Sequence, residues 1–383
     1  MKKLLIIHNF YREYGGEDAN IFEEIKFFEK NYDVEFLSFD NSQKINFYDL
    51  INFIFRTNPK SNKLIEEKIN QFNPDVVYIH NIWFKIGLGI FKIFKKNNIK
   101  VLVKIHNFRY KCAPHFFSGN HLNNSKICNA CGYKKIGFFN FNKYYENSYI
   151  KSLWLYRFTK KYNQILKNHD LEVVAITEFH KENLVNFGIP RDKIHIINNP
   201  ILFEDKIENK QSSNSVIFAG RLSPEKGLDK LLSVWTNLQN NELKLIVIGD
   251  GEQKKHLESK YSSENIIFLG SLDNDMVKKE IVNSLAVITT TTLYEGQPRL
   301  LCEASSLKTV SIFPKFGGME EFFPSNYPLS YEQFNYEDLK LKIELLSDQN
   351  TMEKFSEKNY EYLYKKLNPE KIQKQFERVI KGG

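Results

Sequence analysis

The sequence predicts an α/β protein made of two doubly wound domains with a C-terminal helical tail, and three observations predict it. Short apolar runs alternate with amphipathic helical stretches along both halves, the rhythm breaks at a polar linker near residue 200 and then restarts, and the glycine turns follow apolar runs directly. Strands interleaved with helices imply βαβ units and parallel sheets. At about 150 residues per domain, 383 residues leave room for two such domains and two sizeable cores.

Residues 3–7 form the first strand, followed by the Gly15-Gly16 turn and an amphipathic helix over about 18–30. Strands follow over 34–38, 75–79 and 101–105, with helices over 63–72 and 88–96, then a strand over 171–176 and a helix over 178–187. Residues 108–161 break the rhythm and read as an insertion between elements, rich in glycines and aromatics. Asn198-Asn199-Pro200 opens the linker, and 209–214 is polar and serine-rich. Beyond it, strands are expected over 216–219, 243–248, 266–269, 286–289 and 309–313, and helices over 228–238, 253–261, 275–283 and 298–306. The stretch 336–380 is helical. The resulting domains are 1–199, 200–366 and a helix over 367–383 that packs back on the first domain.

Composition narrows the function. Hydrophobic residues make up 42% and charged residues 26%, as in a globular chain. A net charge of +8 favours an anionic partner, but no dense Lys/Arg run marks a nucleic-acid patch, so none is expected. The apolar start is too short for a signal peptide, and no apolar run approaches the roughly 20 residues that span a bilayer. A cytoplasmic protein, peripheral to the inner face of the membrane, is expected. Four cysteines do not make a disulfide framework.

Four motifs carry chemistry. Glu295-Gly296-Gln297-Pro298-Arg299-Leu300-Leu301-Cys302-Glu303 sets one carboxylate before a helix and one inside it, with a turn between them that exposes N–H groups at the helix N-terminus. Gly220-Arg221-Leu222-Ser223-Pro224-Glu225-Lys226-Gly227 follows a strand and precedes a helix. Gly220 allows close approach to the backbone, and Arg221 and Lys226 supply two cations for a diphosphate. Gly249-Asp250-Gly251 again follows a strand, and Gly15-Gly16 lies between the first strand and first helix. Each alone also reads as a surface turn or a solvated Glu pair. Their common position, at the carboxyl ends of parallel strands where open α/β sheets bind ligands, makes them a set.

As a set these residues resemble the retaining glycosyltransferases of family 4, which have two Rossmann-like domains facing across a cleft, the GT-B fold. His106 in Lys104-Ile105-His106-Asn107 and Phe316-Gly317-Gly318-Met319-Glu320 extend the resemblance over nearly the whole chain. It implies that Glu303 binds the ribose of the donor nucleotide and that Arg221 and Lys226 hold its diphosphate. Glu295 and the backbone over Gly296, Gln297 and Leu300 would hold the donor sugar. Gly15, Gly16, Gly220, Gly249 and Gly251 would line the donor site, and His106 would face the reacting sugar. Gln297 stands where the family usually has an aromatic or apolar residue. The block from His106 to Cys131 is similar to a subgroup that makes capsular or surface polysaccharides. A UDP-sugar donor and a glycan or lipid-linked acceptor follow as expectations, with His106, Glu295, Arg221 and Lys226 as the catalytic set and no cofactor required. The alternatives are another GT-B enzyme, such as a sugar-nucleotide epimerase, or a non-catalytic nucleotide-binding protein.

Two further features stay open. Cys112, His115, Cys128 and Cys131 have the spacing of a structural Cys₃His zinc site, with unliganded thiols as the plainer reading. Aromatics from Phe138 to Phe158 interleave with lysines, which fits contact with an anionic membrane or simple packing of a helix.

Overall fold

The structure, a computed structural model, describes residues 1–11, 16–41, 47–83, 85–108, 128, 148–168, 170–203, 213–238 and 242–382. The chain divides into two compact units, Met1–Pro200 with Pro369–Gly383, and Ile201–Asn368. No helix among the described residues is long and apolar enough to cross a membrane.

The first unit runs β1 (Lys3–Phe10), α1 (Gly16–Phe28), β2 (Asp33–Asp40), α2 (Phe47–Phe55), α3 (Pro59–Phe72), β3 (Val76–Asn81), α4 (Ile90–Lys96) and β4 (Lys100–Lys104). It continues with α5 (Tyr149–Asn168), β5 (Glu172–Ala175), α6 (Glu178–Asn186) and β6 (Ile194–Ile196). Its sheet has the order β2-β1-β3-β4-β5-β6, with every pairing parallel. Leu4–Ile7 and Val76–Ile79 are buried without alternation, as strands covered by helices on both faces must be. Local chemistry sets α3: Asn58 accepts from the N–H groups of Lys60 and Ser61, Pro59 opens the first turn, and Asn73 ends it at φ 49°.

Most of the expected insertion over 108–161 lies outside the described residues. Its final stretch is the first half of α5, which buries Ser152, Leu155, Phe158, Thr159, Asn163 and Leu166 at helical spacing. That burial agrees with the reading of the aromatic and lysine-rich stretch as packing of a helix, over the part that is described. Helix α2 also lies outside the sequence expectation, since its apolar run is too short to separate helix from strand.

The second unit runs β7 (Ser215–Ala219), α7 (Leu228–Trp235), β8 (Lys244–Ile248), α8 (Lys254–Tyr261), β9 (Ile266–Gly270), α9 (Asn274–Val282) and β10 (Ala286–Ile288). Then come α10 (Arg299–Ser306), β11 (Val310–Pro314), β12 (Ser330–Tyr331), α11 (Tyr336–Glu344) and α12 (Gln349–Lys366). Its parallel sheet has the order β12-β11-β10-β7-β8-β9. Both units are thus doubly wound α/β sheets, as expected. The stretch expected to be helical over 336–380 holds three helices: Asn335 and Asp348 cap the first two starts by accepting from the N–H groups of Asp338 and Thr351, and Pro369 opens the third.

The last helix, α13 (Pro369–Lys381), belongs to the first unit. The Phe376 ring sits 4.3 Å from that of Phe28, 5.4 Å from Tyr78 and 5.5 Å from Tyr32. Gln373 Nε2 donates to the Tyr32 hydroxyl at 2.9 Å.

In each sheet the winding reverses once beside its first strand, at β1/β3 and at β7/β10. Loops after neighbouring strands diverge at such a point and leave a crevice at the carboxyl edge, where ligands of this fold class bind.

Candidate functional site

The crevice of the second unit is built from four strand-end loops. The β7 loop carries Gly220, Arg221 and Lys226, and it is stapled to the β10 loop. Thr292 donates its N–H to the Glu225 carbonyl at 2.8 Å, its hydroxyl donates there at 3.0 Å, and the Thr290 hydroxyl donates to the Lys226 carbonyl at 3.2 Å. The approach is close enough that a Cβ on Gly227, at φ 71°, would stand 2.2 Å from the Thr290 oxygen. The β8 loop packs equally hard. A Cβ on Gly249, at φ 138°, would meet the Gly220 oxygen at 1.9 Å, and the Leu222 N–H donates to the Asp250 carbonyl at 2.8 Å. The β11 loop closes the set: Gly318 N–H donates to the Glu295 carbonyl at 2.8 Å, and the Phe316 ring stacks on Tyr294 at 4.6 Å.

This scaffold fixes the charged groups. Lys226 Nζ donates to Glu295 Oε1 at 2.7 Å, and both side chains remain about one-third exposed, at 32% and 28%. Arg299 Nε donates to Glu303 Oε1 at 2.8 Å on the first turns of α10, with Glu303 buried. Arg221 is exposed beside Gly220, whose α-carbon faces open space. Gln297 is buried, and Leu300 is half-buried. Gly296, Gln297 and Pro298 lead directly into α10, whose first N–H groups lack intrahelical acceptors. Cations, carboxylates and a helix N-terminus therefore share one edge of one sheet. That combination suits a ligand with both an anionic diphosphate and neutral hydroxyls: the ammonium and guanidinium meet the phosphates, and the carboxylates accept from hydroxyls.

The first unit has its own crevice at β1/β3. The strand ends are tied there: Asn81 Nδ2 donates to the Asn9 carbonyl at 2.6 Å, and the Trp83 carbonyl accepts from Asn9 and from Asn41 Nδ2, the latter at 2.9 Å. His80, Trp83, His106, Asn107, Phe158 and Tyr162 line the pocket. His106 Nε2 is 2.9 Å from His80 Nδ1. Burial pushes both imidazoles well below their usual range, and Lys104 and His8 add to the effect. Beneath them Lys104 Nζ donates to Glu24 Oε1 at 2.6 Å, with both side chains fully buried. Burial raises the Glu24 carboxyl, and Lys104 opposes that shift.

Of the other expected residues, Gly16 opens α1, whereas Gly15, Cys112, His115 and Cys131 lie outside the described residues. Cys128 is buried. No group of three or more metal-ligating side chains occurs among the described residues. Cys302 is a core residue whose thiol is raised by burial.

Several participants escaped the sequence reading. Arg299 was legible in principle, since it stands four residues before Glu303 on one helix face. The Thr290–Thr292 staples and the Glu24–Lys104 pair have no local signal, because their partners are 64 or more residues away.

Two family models match the chain, Glycosyltransferase Family 4 over residues 37–204 and Glycosyl transferases group 1 over residues 202–362. The amylovoran biosynthesis glycosyltransferase AmsD of Erwinia amylovora is 29% identical over 177 residues, which is 45% of this chain and 46% of that protein. The phosphatidylinositol N-acetylglucosaminyltransferase GPI3 subunit of Saccharomyces cerevisiae is 26% identical over 207 residues, 50% of this chain and 45% of that one. The aligned stretches thus span about half the length of these curated relatives. Among solved structures, Anabaena Alr3699/HepE in complex with UDP-glucose covers 100% of both chains at a TM-score of 0.68 and 13% identity, a likeness of fold.

Proposed function

We propose that this chain, which pairs a Glycosyltransferase Family 4 segment with a Glycosyl transferases group 1 segment, is a retaining glycosyltransferase. It moves a sugar from a nucleoside diphosphate donor, a UDP-sugar, to a glycan or lipid-linked acceptor in surface polysaccharide biosynthesis. A relative named for amylovoran biosynthesis and a neighbour of the same fold crystallised with UDP-glucose support that reading.

The observation that carries it is the 2.7 Å pair between Lys226 and Glu295 at the β7/β10 reversal. An ammonium has three donors. Glu295 takes one and holds the side chain in place, and partial exposure leaves the others available to phosphate oxygens. A partly exposed ion pair is weakly held, of the order of 0–1 kcal/mol, so a diphosphate can displace or share it cheaply. Charge grows on the leaving diphosphate as the sugar–oxygen bond breaks. Lys226, held at the loop by Glu295, and Arg221 beside it stabilise that charge. Glu303, held by Arg299, accepts from ribose hydroxyls, and Glu295 from a sugar hydroxyl. The cations come from the chain itself, so the reaction requires no metal.

The test is a panel of sugar nucleotides screened for thermal stabilisation, followed by transfer assays with the donor that binds. A donor at 100 times its dissociation constant adds about 2.7 kcal/mol of stability. The anomeric configuration of the product, read by NMR, decides retention. A folded protein that no nucleoside diphosphate sugar stabilises sinks the proposal.

A further inference from the structure

Four buried or half-buried groups of the first unit form a chain that ends in its pocket: Lys104, Glu24, His80 and His106. Lys104 Nζ lies 2.6 Å from Glu24 Oε1, Glu24 Oε2 lies 3.5 Å from His80 Nδ1, and His80 Nδ1 lies 2.9 Å from His106 Nε2. Only His106 and Lys104 belong to the strand-end motif, on and just after β4. Glu24 comes from α1 and His80 from β3.

We propose that Glu24 and His80 are positioning residues that fix the tautomer of His106, so that its Nδ1 carries the proton and its Nε2 accepts. Between two neutral imidazoles one nitrogen must donate and the other accept. The His80–His106 contact alone allows either arrangement. Two observations break the tie. Glu24 Oε1 accepts from Lys104 Nζ at 2.6 Å, the pairing of a carboxylate with an ammonium; a carboxylate only accepts, and its Oε2 faces His80 Nδ1. A proton on that nitrogen is attracted by the carboxylate, whereas a lone pair there is repelled. At 3.5 Å the contact is too long for a strong hydrogen bond but near enough to bias the ring. The second observation concerns the other side of His80. Its Nε2 is buried with no hydrogen-bond partner among the described residues. The reverse tautomer would put a proton there with nothing to receive it, and orphaned buried N–H groups are rare. The proposed tautomer leaves a lone pair instead.

Burial keeps both rings neutral near physiological pH, so the arrangement persists. His106 then offers a fixed N–H rather than a basic nitrogen: it donates to a ligand oxygen and does not remove a proton from one. That the ligand is a sugar rests on the transferase reading. The tautomer does not.

The test needs neither donor nor acceptor, so it can fail while the transferase reading stands, and the reverse. Protein labelled with ¹⁵N-histidine is recorded by two-bond ¹H–¹⁵N correlation, with His106 assigned by loss of its signals in His106→Gln. The expected result is protonation at Nδ1 of His106 and at Nδ1 of His80. Removing the carboxylate's share of the bias with Glu24→Gln should raise the fraction of His106 protonated at Nε2, the form that free imidazoles favour, while the unpartnered His80 Nε2 still opposes it. Because Glu24→Gln strands a buried ammonium, the double variant Glu24→Gln/Lys104→Met provides the same test without an unpaired charge. Protonation of His106 at Nε2 in the unmodified protein, or a His106 tautomer ratio in the folded double variant identical to that of the unmodified protein, overturns the proposal.

Discussion

Lys226 and Glu295 stand 69 residues apart in the chain and 2.7 Å apart in the structure. The staples between Thr290–Thr292 and the backbone of Glu225 and Lys226 hold the two loops in register. The pair is therefore a product of loop packing, and its chemistry can be separated from the fold by substitution.

Lys226→Ala should lower donor turnover by about 10²–10³-fold, the loss seen when one preorganised group that stabilises developing charge is removed. Because the side chain is partly exposed, unfolding in urea should change little. Steady-state kinetics beside an unfolding curve checks both halves, and wild-type turnover in the variant would falsify the assignment.

Glu303→Gln keeps the shape and removes the charge that Arg299 meets at 2.8 Å. Nucleotide binding should weaken by about 1–3 kcal/mol, through loss of a charged acceptor and release of its half-buried guanidinium partner. Calorimetric titration with the nucleoside diphosphate alone measures it. An unchanged dissociation constant would place the ribose elsewhere.

A chelator tests the source of the cations. Transfer measured in excess EDTA should match the untreated rate, because Arg221 and Lys226 supply the positive charge. A fall of tenfold or more, restored by a divalent ion and corresponding to about 1.4 kcal/mol, would assign that role to a metal instead.

Two glycines in neighbouring loops should respond unequally to alanine. Gly249→Ala drives a methyl into the Gly220 carbonyl at 1.9 Å and also strains φ at 138°, so a loss of about 3 kcal/mol is expected. Gly220→Ala meets no atom within 4 Å and bears only the cost of its φ of 155°, about 1–2 kcal/mol. Urea midpoints of the two variants, compared at constant slope, rank them. Equal losses would mean that the loop yields at Gly249.

Stability should fall as the solution is acidified below pH ~6.5, where unfolded histidines begin to take protons. Burial lowers His180 to about 3, and His80 and His106 are held well below their usual range. The folded state refuses protons that the unfolded chain accepts, so each such histidine contributes stability above pH 6.5 that is lost toward its folded value. The slope is about 1.4 kcal/mol per pH unit for each one. Glu24, whose carboxyl is raised, acts in the opposite sense, adding stability as it gains its proton. Unfolding curves at pH 7.5, 6.5 and 5.5 for wild type and His180→Phe provide the check, and the variant should show the shallower dependence.

The parts of the fold that are local were legible in the sequence. Apolar runs such as Leu4–Ile7 and the glycine turns after them announce buried parallel strands and their loops, because both signals lie within a few residues of each other. The strand-end position of Arg221, Lys226, Gly249 and Glu295 follows from the same reasoning. What was not legible depends on chain closure over long separations. Glu24 and Lys104 are each unremarkable in sequence, and only packing of α1 against the sheet brings them to 2.6 Å. Helix α5 was legible as one of two readings of its aromatics and lysines, and its buried positions recur at helical spacing. The start of α11 at Tyr336 agrees with the expectation, and the break before α12 was available in the sequence as Asp348, a residue that favours helix starts.

The placement of Phe376 has a consequence for how the polypeptide is made. Its ring fills a gap among Phe28, Tyr32 and Tyr78, yet the ribosome reaches it only after the whole of Ile201–Asn368. The earlier half of the nascent chain must wait with an aromatic seam open, while the contiguous later unit already holds all its own strands. Biogenesis therefore departs from the usual order, in which domains mature in the sequence of their synthesis. Emergence of α13 is the event that closes the seam of the first unit.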